Sequence, residues 1–206
     1  MSMRGIITIM TYIIVGLGNP GEEYTMTRHN AGRIMLERFR KKYVFPLWEI
    51  SSNAKALYSN SKIGKHSVEL ILPETFMNRS GFSISYAQKK HKIKSENIIV
   101  VYDDIDLPFG SVKIAFGRGS GGHKGLESII RAVKTKDFVR VRVGIAPTTA
   151  RGVVKKPKGD KKILDFLMDD FTKKEESTIP KIARTIDEIL LTIIKEGRVS
   201  AMNAYN

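Results

Sequence analysis

Two short polar runs carry the residue types that most often share proton transfer, histidine and aspartate. Arg28-His29-Asn30 lies between a glycine-rich loop and a helix-like stretch. An imidazole titrates near neutral pH and is the usual general base, provided that a partner orients its second ring nitrogen. Tyr102–Pro108 (YDDIDLP) follows an apolar strand-like run and contains aspartates that can act as this partner. The two runs favour a histidine–aspartate pair that activates water, but the sequence alone does not say which aspartate is involved.

The acidic run has two other interpretations. Its three carboxylates could hold Mg²⁺, which prefers oxygen ligands. Aspartates also stabilise turns without any catalytic role. We favour an aspartate that orients His29, and we expect no metal.

The loop before His29, Gly16–Gly21 (GLGNPG), matches the G-x-G-x-x-G pattern of dinucleotide-binding proteins. That pattern places pyrophosphate at the N-terminus of a helix that opens directly from the loop. Here Pro20 interrupts the loop, two acids follow it, and residues 39–43 are basic where a ribose-binding acid is required. The loop is therefore predicted to be a tight strand-to-loop turn, and a dinucleotide-binding oxidoreductase ranks third among the functions considered.

Two further segments combine polar side chains with turns. In Pro73–Gly81 (PETFMNRSG), Phe76 and Met77 are ordinary core candidates. Asn78 is either a helix cap or an amide that grips a substrate backbone. Gly117–Gly125 (GRGSGGHKG) opens a helix, whose N-terminus favours anions, but it lacks the Gly-Lys-Ser/Thr ending of a nucleotide-binding P-loop. It is either a flexible turn or a contact for a phosphate or an RNA acceptor end.

The composition is that of a basic protein with enough apolar residues for a core. The 206 residues include 35 Lys and Arg against 21 Asp and Glu, a net charge of +14, and 42% are hydrophobic. This excess favours a polyanionic partner such as nucleic acid, although it also promotes solubility. The absence of cysteine excludes disulfides, a cysteine nucleophile and cysteine-ligated metals, and no apolar run is long enough to span a membrane. We therefore expect a cytoplasmic protein.

Strand-like and helix-like segments alternate along the chain, which is typical of an α/β sheet with helices on both faces. The predicted strands are Thr11–Val15, Ala56–Ile63, Val68–Leu72, Asn97–Tyr102, Ser111–Phe116 and Val139–Gly144. The predicted helices are Gly32–Lys42, Gly81–His91, Gly125–Lys134 and a long one to Glu196 that starts at Lys173 or Pro180. A single domain over residues 1–206 is expected from this length.

Three peripheral segments complete the expected organisation. Residues 1–9 are an N-terminal extension if Met10 is the natural start. Residues 147–162 are basic, contain Gly and Pro, and are predicted to form a mobile loop. Residues 163–206 combine a short lid-like amphipathic stretch, 163–171, with the C-terminal helix.

Together, four blocks of the sequence resemble bacterial-type peptidyl-tRNA hydrolase. They are Ile14–Gly32, Pro73–Gly81, Tyr102–Gly110 and Gly119–Ile130, in the order the family has them. The resemblance implies a single-domain twisted mixed β-sheet flanked by helices on both faces, monomeric and without cofactor or metal. It also implies cleavage of the ester between a peptide and the terminal ribose of tRNA, which frees the tRNA for translation.

The resemblance also implies roles for individual residues. His29 matches the catalytic histidine, Asp103 the aspartate that orients it, and Asn19 the active-site amide beside it. Three residues match the family's substrate contacts: Asn78, Tyr24 and Phe76. Side-chain amides near the ester would stabilise the oxyanion that forms when water attacks it.

Some substrate-binding positions depart from the family. Lys124 follows His123 where the family normally has Asn, and a lysine there suits a phosphate. The family has a lysine that contacts the terminal phosphate of tRNA, but this chain has Ala115 at that position. Arg142 matches the second residue with which the family contacts that phosphate. We therefore expect phosphate contacts from Arg142, Lys113 or the basic loop, and substrate contacts from His123 and Lys124. A non-catalytic RNA-binding module is the second function considered, because relatives of this fold serve as RNA-processing cofactors.

Overall fold

The computed structural model describes residues 9–206, so the extension predicted for residues 1–9 lies outside them apart from Ile9. Within the described residues the strands are β1 (Thr11–Gly16), β2 (Glu49–Ser51), β3 (Ala56–Ile63), β4 (His66–Pro73), β5 (Ile98–Pro108), β6 (Val112–Phe116) and β7 (Val139–Ala146). The helices are α1 (Ala31–Lys42), α2 (Gly81–His91), α3 (Lys124–Val133), α4 (Asp160–Met168), α5 (Lys173–Glu176), α6 (Ile179–Glu196) and α7 (Arg198–Tyr205). Short 3₁₀ turns include Glu22–Tyr24, Arg28–Asn30 and Met77–Arg79.

These strands form one mixed sheet in the order β2-β3-β4-β1-β5-β7-β6. The central strands β4, β1, β5 and β7 run parallel, whereas β3 pairs antiparallel with β2 and β4, and the edge strand β6 pairs antiparallel with β7. The carboxyl ends of the four parallel strands therefore meet at one edge, which is where open α/β sheets place their sites. The GLGNPG loop follows β1, and the segment with Asn78 follows β4 at the same edge.

Helices cover both faces of the sheet, as predicted. On one face, α1 and α6 pack on the sheet through residues such as Leu36, Phe39 and Ile186. On the other face, α2 and α3 pack through Ile84 and Ile129. The buried residues of β1 alternate between the two clusters, which explains why its sequence is a continuous apolar run. No helix within residues 9–206 has the length and apolar character needed to cross a membrane.

Several predicted boundaries were wrong. The strand predicted to end at Tyr102 continues to Pro108 as β5, because its polar end still pairs with β7 through an irregular register. Residues Asp160–Lys162, predicted as basic loop, are the first turn of α4. For the long C-terminal helix, the later of the two predicted starts is correct, because α6 begins at Ile179 with Pro180 in its first turn. Residues Lys173–Glu176 form the separate short helix α5, which has its own capping box at Thr172. The sequence reading also missed β2 and α7.

Candidate active site

His29 and Asp103 form a buried pair at the carboxyl edge of the sheet. His29 lies in the 3₁₀ turn Arg28–Asn30 that leads into α1, and Asp103 lies on β5. His29 Nδ1 is 3.0 Å from Asp103 Oδ2 and 3.1 Å from Oδ1. An ionised carboxylate only accepts hydrogen bonds, so Nδ1 carries the proton and donates it. This leaves Nε2 of His29 as an unprotonated base.

His123 is a second partner of Asp103, which the sequence reading had not anticipated. Its Nε2 lies 3.0 Å from Asp103 Oδ1. Its Nδ1 accepts hydrogen bonds from the backbone N–H groups of Gly125 and Leu126, so His123 is the N-cap of α3. Because Nδ1 acts as an acceptor, the ring proton is on Nε2 and is donated to Asp103. The glycine run that opens α3 was the available signal, since it places His123 at a capping position.

The buried charges shift the pKa values of this pair in opposite directions. Burial alone would lower the pKa of His29, but attraction to the Asp103 carboxylate and the hydrogen bond to it raise the pKa above its ordinary value. Burial alone would raise the pKa of Asp103, yet His29 and His123 hold it well below its usual range. Asp103 is therefore an anion at neutral pH that stabilises a proton arriving on His29.

The same three residues could in principle hold a metal, since their donor atoms all lie within 4.8 Å of one another. Their hydrogen bonds favour proton transfer instead. A cation on Nε2 of His123 would require that ring's proton to move to Nδ1, which faces two backbone N–H donors. The other acids of the run face different partners, because Asp104 accepts from Arg142 and Asp106 from Lys156. The carboxylates thus do not converge on one point, as the Mg²⁺ interpretation requires.

The GLGNPG loop holds Asn19 against Asn30, the residue that follows His29. Asn19 Oδ1 accepts a hydrogen bond of 2.9 Å from the backbone N–H of Met77, and the Asn30 side chain bonds both backbone groups of Asn19. The amide orientation is therefore set, and Asn19 Nδ2 has no hydrogen-bond partner within residues 9–206. Only the 3₁₀ turn Glu22–Tyr24 follows the loop directly, and α1 begins at Ala31, so the α-helix that dinucleotide binding requires at this point is missing.

Comparison with known proteins identifies the family that the four sequence blocks resemble. Residues 13–206 match the family model Peptidyl-tRNA hydrolase. The peptidyl-tRNA hydrolase of Fervidobacterium nodosum is 39% identical over 194 residues, 94% of this chain and 95% of the relative. That of Pseudothermotoga lettingae is 37% identical over 194 residues, 94% and 96% of the two chains. The crystal structure of peptidyl-tRNA hydrolase from Acinetobacter baumannii is 30% identical with a TM-score of 0.85, covering 95% of this chain and 94% of that chain.

The chain belongs to the peptidyl-tRNA hydrolase family. The match extends the resemblance beyond the four sequence blocks to the C-terminal helices. The predicted fold class is confirmed by the crystal structure of a peptidyl-tRNA hydrolase with the same fold.

In this member of the peptidyl-tRNA hydrolase family, a cleft of about 730 Å³ lies next to the Asn19 loop. Phe76, which is 61% exposed, and Asn78 line it together with Pro20. The expectation of a core position was therefore wrong for Phe76 and right for Met77, which is buried. Asn78 is not the helix cap, because it lies in the turn Met77–Arg79 and α2 starts after Ser80.

Other residues to which the resemblance to peptidyl-tRNA hydrolase gave substrate roles lie at the surface or in ion pairs. Tyr24 is partly exposed in the turn Glu22–Tyr24. Lys124 is exposed at the start of α3, with Nζ 3.4 Å from Glu127. Lys113 on β6 and Arg142 on β7 lie opposite each other in the antiparallel register of these two strands.

Each of these two cations already has a partner. Lys113 Nζ donates to the backbone oxygen of Asn206 at 2.5 Å. Arg142 Nε donates to Asp104 Oδ2 at 2.8 Å, one residue after Asp103. A phosphate bound here would share or displace these contacts.

Arg28 is a residue at the site that the sequence reading missed. It is buried beside His29, donates to Glu175 Oε2 at 2.8 Å, and stacks its guanidinium 4.6 Å from the Phe166 ring centroid. Its backbone N–H also donates to the oxygen of Asp169. The segment predicted to be lid-like, 163–171, thus packs directly on the turn that carries His29.

Proposed function

We propose that the chain hydrolyses the ester between a peptide, or an N-blocked amino acid, and the terminal ribose of tRNA. The observation that carries this proposal is the buried His29–Asp103 pair, which leaves Nε2 of His29 as a base in a chain of the peptidyl-tRNA hydrolase family. An ester of this kind requires only an activated water, so no covalent enzyme intermediate is needed.

In the proposed mechanism, Nε2 of His29 takes a proton from water as its oxygen attacks the ester carbonyl. Asp103 holds the ring in the required tautomer and stabilises the imidazolium. The tetrahedral oxyanion receives hydrogen bonds from side-chain amides, with the Asn19 Nδ2, whose orientation is set by the bond from Met77, as one donor and Asn78 as a second. Collapse breaks the bond to the ribose oxygen, which takes the proton from His29. The products are a free carboxylic acid and tRNA.

The cleft next to the Asn19 loop suits a peptide joined to RNA. The cleft lined by Phe76 and Asn78 combines apolar surface with cations such as Lys55 and Arg131, which suits a peptide beside a polyanion. We assign further substrate contacts to Tyr24, His123 and Lys124, and phosphate contacts to Lys113 and Arg142. We also propose that the enzyme acts in the cytoplasm as a monomer and needs no cofactor or metal.

The decisive experiment measures peptide release from a defined N-blocked aminoacyl-tRNA by the wild type, His29→Ala and His29→Gln. We expect both variants to lose about 10²- to 10⁴-fold in kcat, the usual contribution of a positioned general base. Gln keeps a donor for Asp103 but cannot accept the proton. Unchanged thermal unfolding and unchanged affinity for deacylated tRNA would show that only the chemistry is lost.

Two outcomes would contradict the proposal. Normal turnover by His29→Gln would exclude His29 as the base. A wild type that binds tRNA tightly and releases no peptide would point to an RNA-binding module instead.

A further inference from the structure

A second cleft, of about 440 Å³, lies between α1 and α6. Four cations and one carboxylate line it: Arg38, Lys41, Lys42, Arg184 and Asp187. With a rise of 1.5 Å per residue, Arg38 and Lys42 lie about 10 and 17 Å along α1 from its start at Ala31. The cleft is therefore remote from His29, which precedes α1, and belongs to a different part of the surface.

Two of the four cations are free to meet an anion. Lys42 Nζ is 2.8 Å from Asp187 Oδ2, and Lys41 Nζ is 3.1 Å from a carboxylate oxygen of Glu37. Arg38 and Arg184 are exposed and make no ion pair with any residue between 9 and 206. A guanidinium presents parallel donors that match the oxygens of a phosphate, so two free arginines in one cleft favour a phosphate ligand.

Asp187 adds a second requirement for the ligand. The residue is only 3% exposed, and its Oδ2 accepts from Lys42, whereas its Oδ1 has no hydrogen-bond partner in the described part of the chain. A buried carboxylate oxygen without a donor is unfavourable. Asp187 lines the cleft, so a ligand that brings a hydrogen-bond donor as well as an anionic group relieves this cost when the carboxylate turns toward it.

We propose that the α1–α6 cleft binds a ribose–phosphate unit of RNA, with Arg38 and Arg184 on the phosphate and the Asp187 carboxylate, once its buried Oδ1 has rotated toward the cleft, accepting from the 2′-hydroxyl. RNA carries this donor beside every phosphate and DNA does not. The contact is made by the body of the RNA, away from its esterified end. The inference rests on the proposed function in one respect, namely that the RNA bound in the cleft is tRNA.

The first test is the double variant Arg38→Gln/Arg184→Gln, assayed on N-blocked aminoacyl-tRNA. We expect KM to rise about tenfold with kcat unchanged, and the salt dependence of log KM to become shallower by about one unit, because one phosphate contact is lost. An N-blocked aminoacyl ester of a nucleoside contains no phosphate, so variant and wild type should hydrolyse it equally.

The matched control is Lys92→Gln/Lys94→Gln, which removes two exposed cations beyond the end of α2, the helix on the opposite face of the sheet. It should leave KM for tRNA within twofold of the wild type. An unchanged KM in Arg38→Gln/Arg184→Gln, or an equal rise in the control, would overturn the proposal. If the wild type released no peptide, affinity for deacylated tRNA would test the cleft by the same comparison.

The second test addresses the ribose. Wild-type affinity for an RNA hairpin is compared with affinity for the same hairpin carrying 2′-O-methyl groups, which keep the helix form and lack the donor. We expect the wild type to prefer the unmodified hairpin at least threefold, and Asp187→Ala to lose that preference. Equal binding of both hairpins by the wild type, or an undiminished preference in Asp187→Ala, would overturn the assignment of the 2′-hydroxyl.

Discussion

At the scale of single residues, Asp103 connects two histidines that play different parts. The Nδ1 of His123 accepts the two backbone N–H bonds that cap α3, so this ring presents its Nε2 to Asp103 and anchors the carboxylate. His29 uses only Nδ1 for Asp103, and its Nε2 has no hydrogen-bond partner within residues 9–206. Since a general base acts only when unprotonated, and since the pKa of His29 is raised, kcat/KM should fall as pH drops through a value above the ordinary imidazole pKa.

Replacing Asp103 with Asn tests this division. The substitution removes the charge that raises the pKa of His29 and leaves the burial that lowers it, so the acid limb of the kcat/KM profile should move to lower pH. At its plateau kcat should fall by about 10⁴-fold, because the ring loses its orienting anion. The profile of Asp106→Asn, an exposed acid paired with Lys156, should match the wild type. An acid limb that stays in place in Asp103→Asn would show that another group controls it.

At the scale of elements, α1 lies so close to the sheet that only glycine fits at their contact. A Cβ on Gly32 would be 2.2 Å from the backbone oxygen of Val101 and 2.6 Å from the nitrogen of Leu17. Val101 precedes Asp103 by two residues on β5, and Gly32 follows His29 by three. The close approach of helix and strand is therefore what brings the imidazole within hydrogen-bonding distance of the carboxylate.

Gly32→Ala should separate α1 from the sheet and so damage both stability and activity. We expect a loss of about 1–3 kcal/mol in the free energy of unfolding, the usual result of overpacking, together with a fall in kcat. Gly119→Ala is the control for stability, because a Cβ there has no atom within 4 Å. Urea unfolding and peptide release measure the two effects. Wild-type stability in Gly32→Ala would mean that the helix adjusts without cost.

At the scale of the whole molecule, the net charge of +14 should govern binding of the polyanionic substrate. Each phosphate contact releases counterions, so log affinity for tRNA should fall with log salt by about 0.9 per contact. With contacts at Lys113 and Arg142 and in the α1–α6 cleft, we expect a slope of about −3 or steeper. Hydrolysis of a nucleoside ester should vary little over the same range. A flat salt response for tRNA would contradict a binding role for the basic surface.

Local pattern was enough to predict most strands and helices, the sheet with helices on both faces, and the pairing of His29 with an aspartate of the acidic run. The choice of Asp103 within that run came from the family resemblance. Hydrophobic periodicity indicates which side of a helix or strand is buried. The four motif blocks and their order along the chain indicate the family. Local pattern gave the wrong boundary where pairing with another strand determines the secondary structure. The polar end of β5 is such a case, because it remains a strand through its hydrogen bonds with β7. It also failed at α7 and the three-residue β2, whose patterns are too short or too weak.

Only the tertiary structure decided which groups meet. The bond between His29 and Asp103 joins residues 74 apart, and that between Lys42 and Asp187 joins residues 145 apart. Such distances along the chain leave no periodic signal, because the contacts arise from how helices pack on the twisted sheet. The second histidine on Asp103, the orientation of the Asn19 amide and the cleft between α1 and α6 are all of this kind. The sequence thus determined which residues can react. The packing of helices on the sheet determined which ring nitrogen of each histidine carries its proton and how the Asn19 amide is oriented, and the proposed chemistry follows from these.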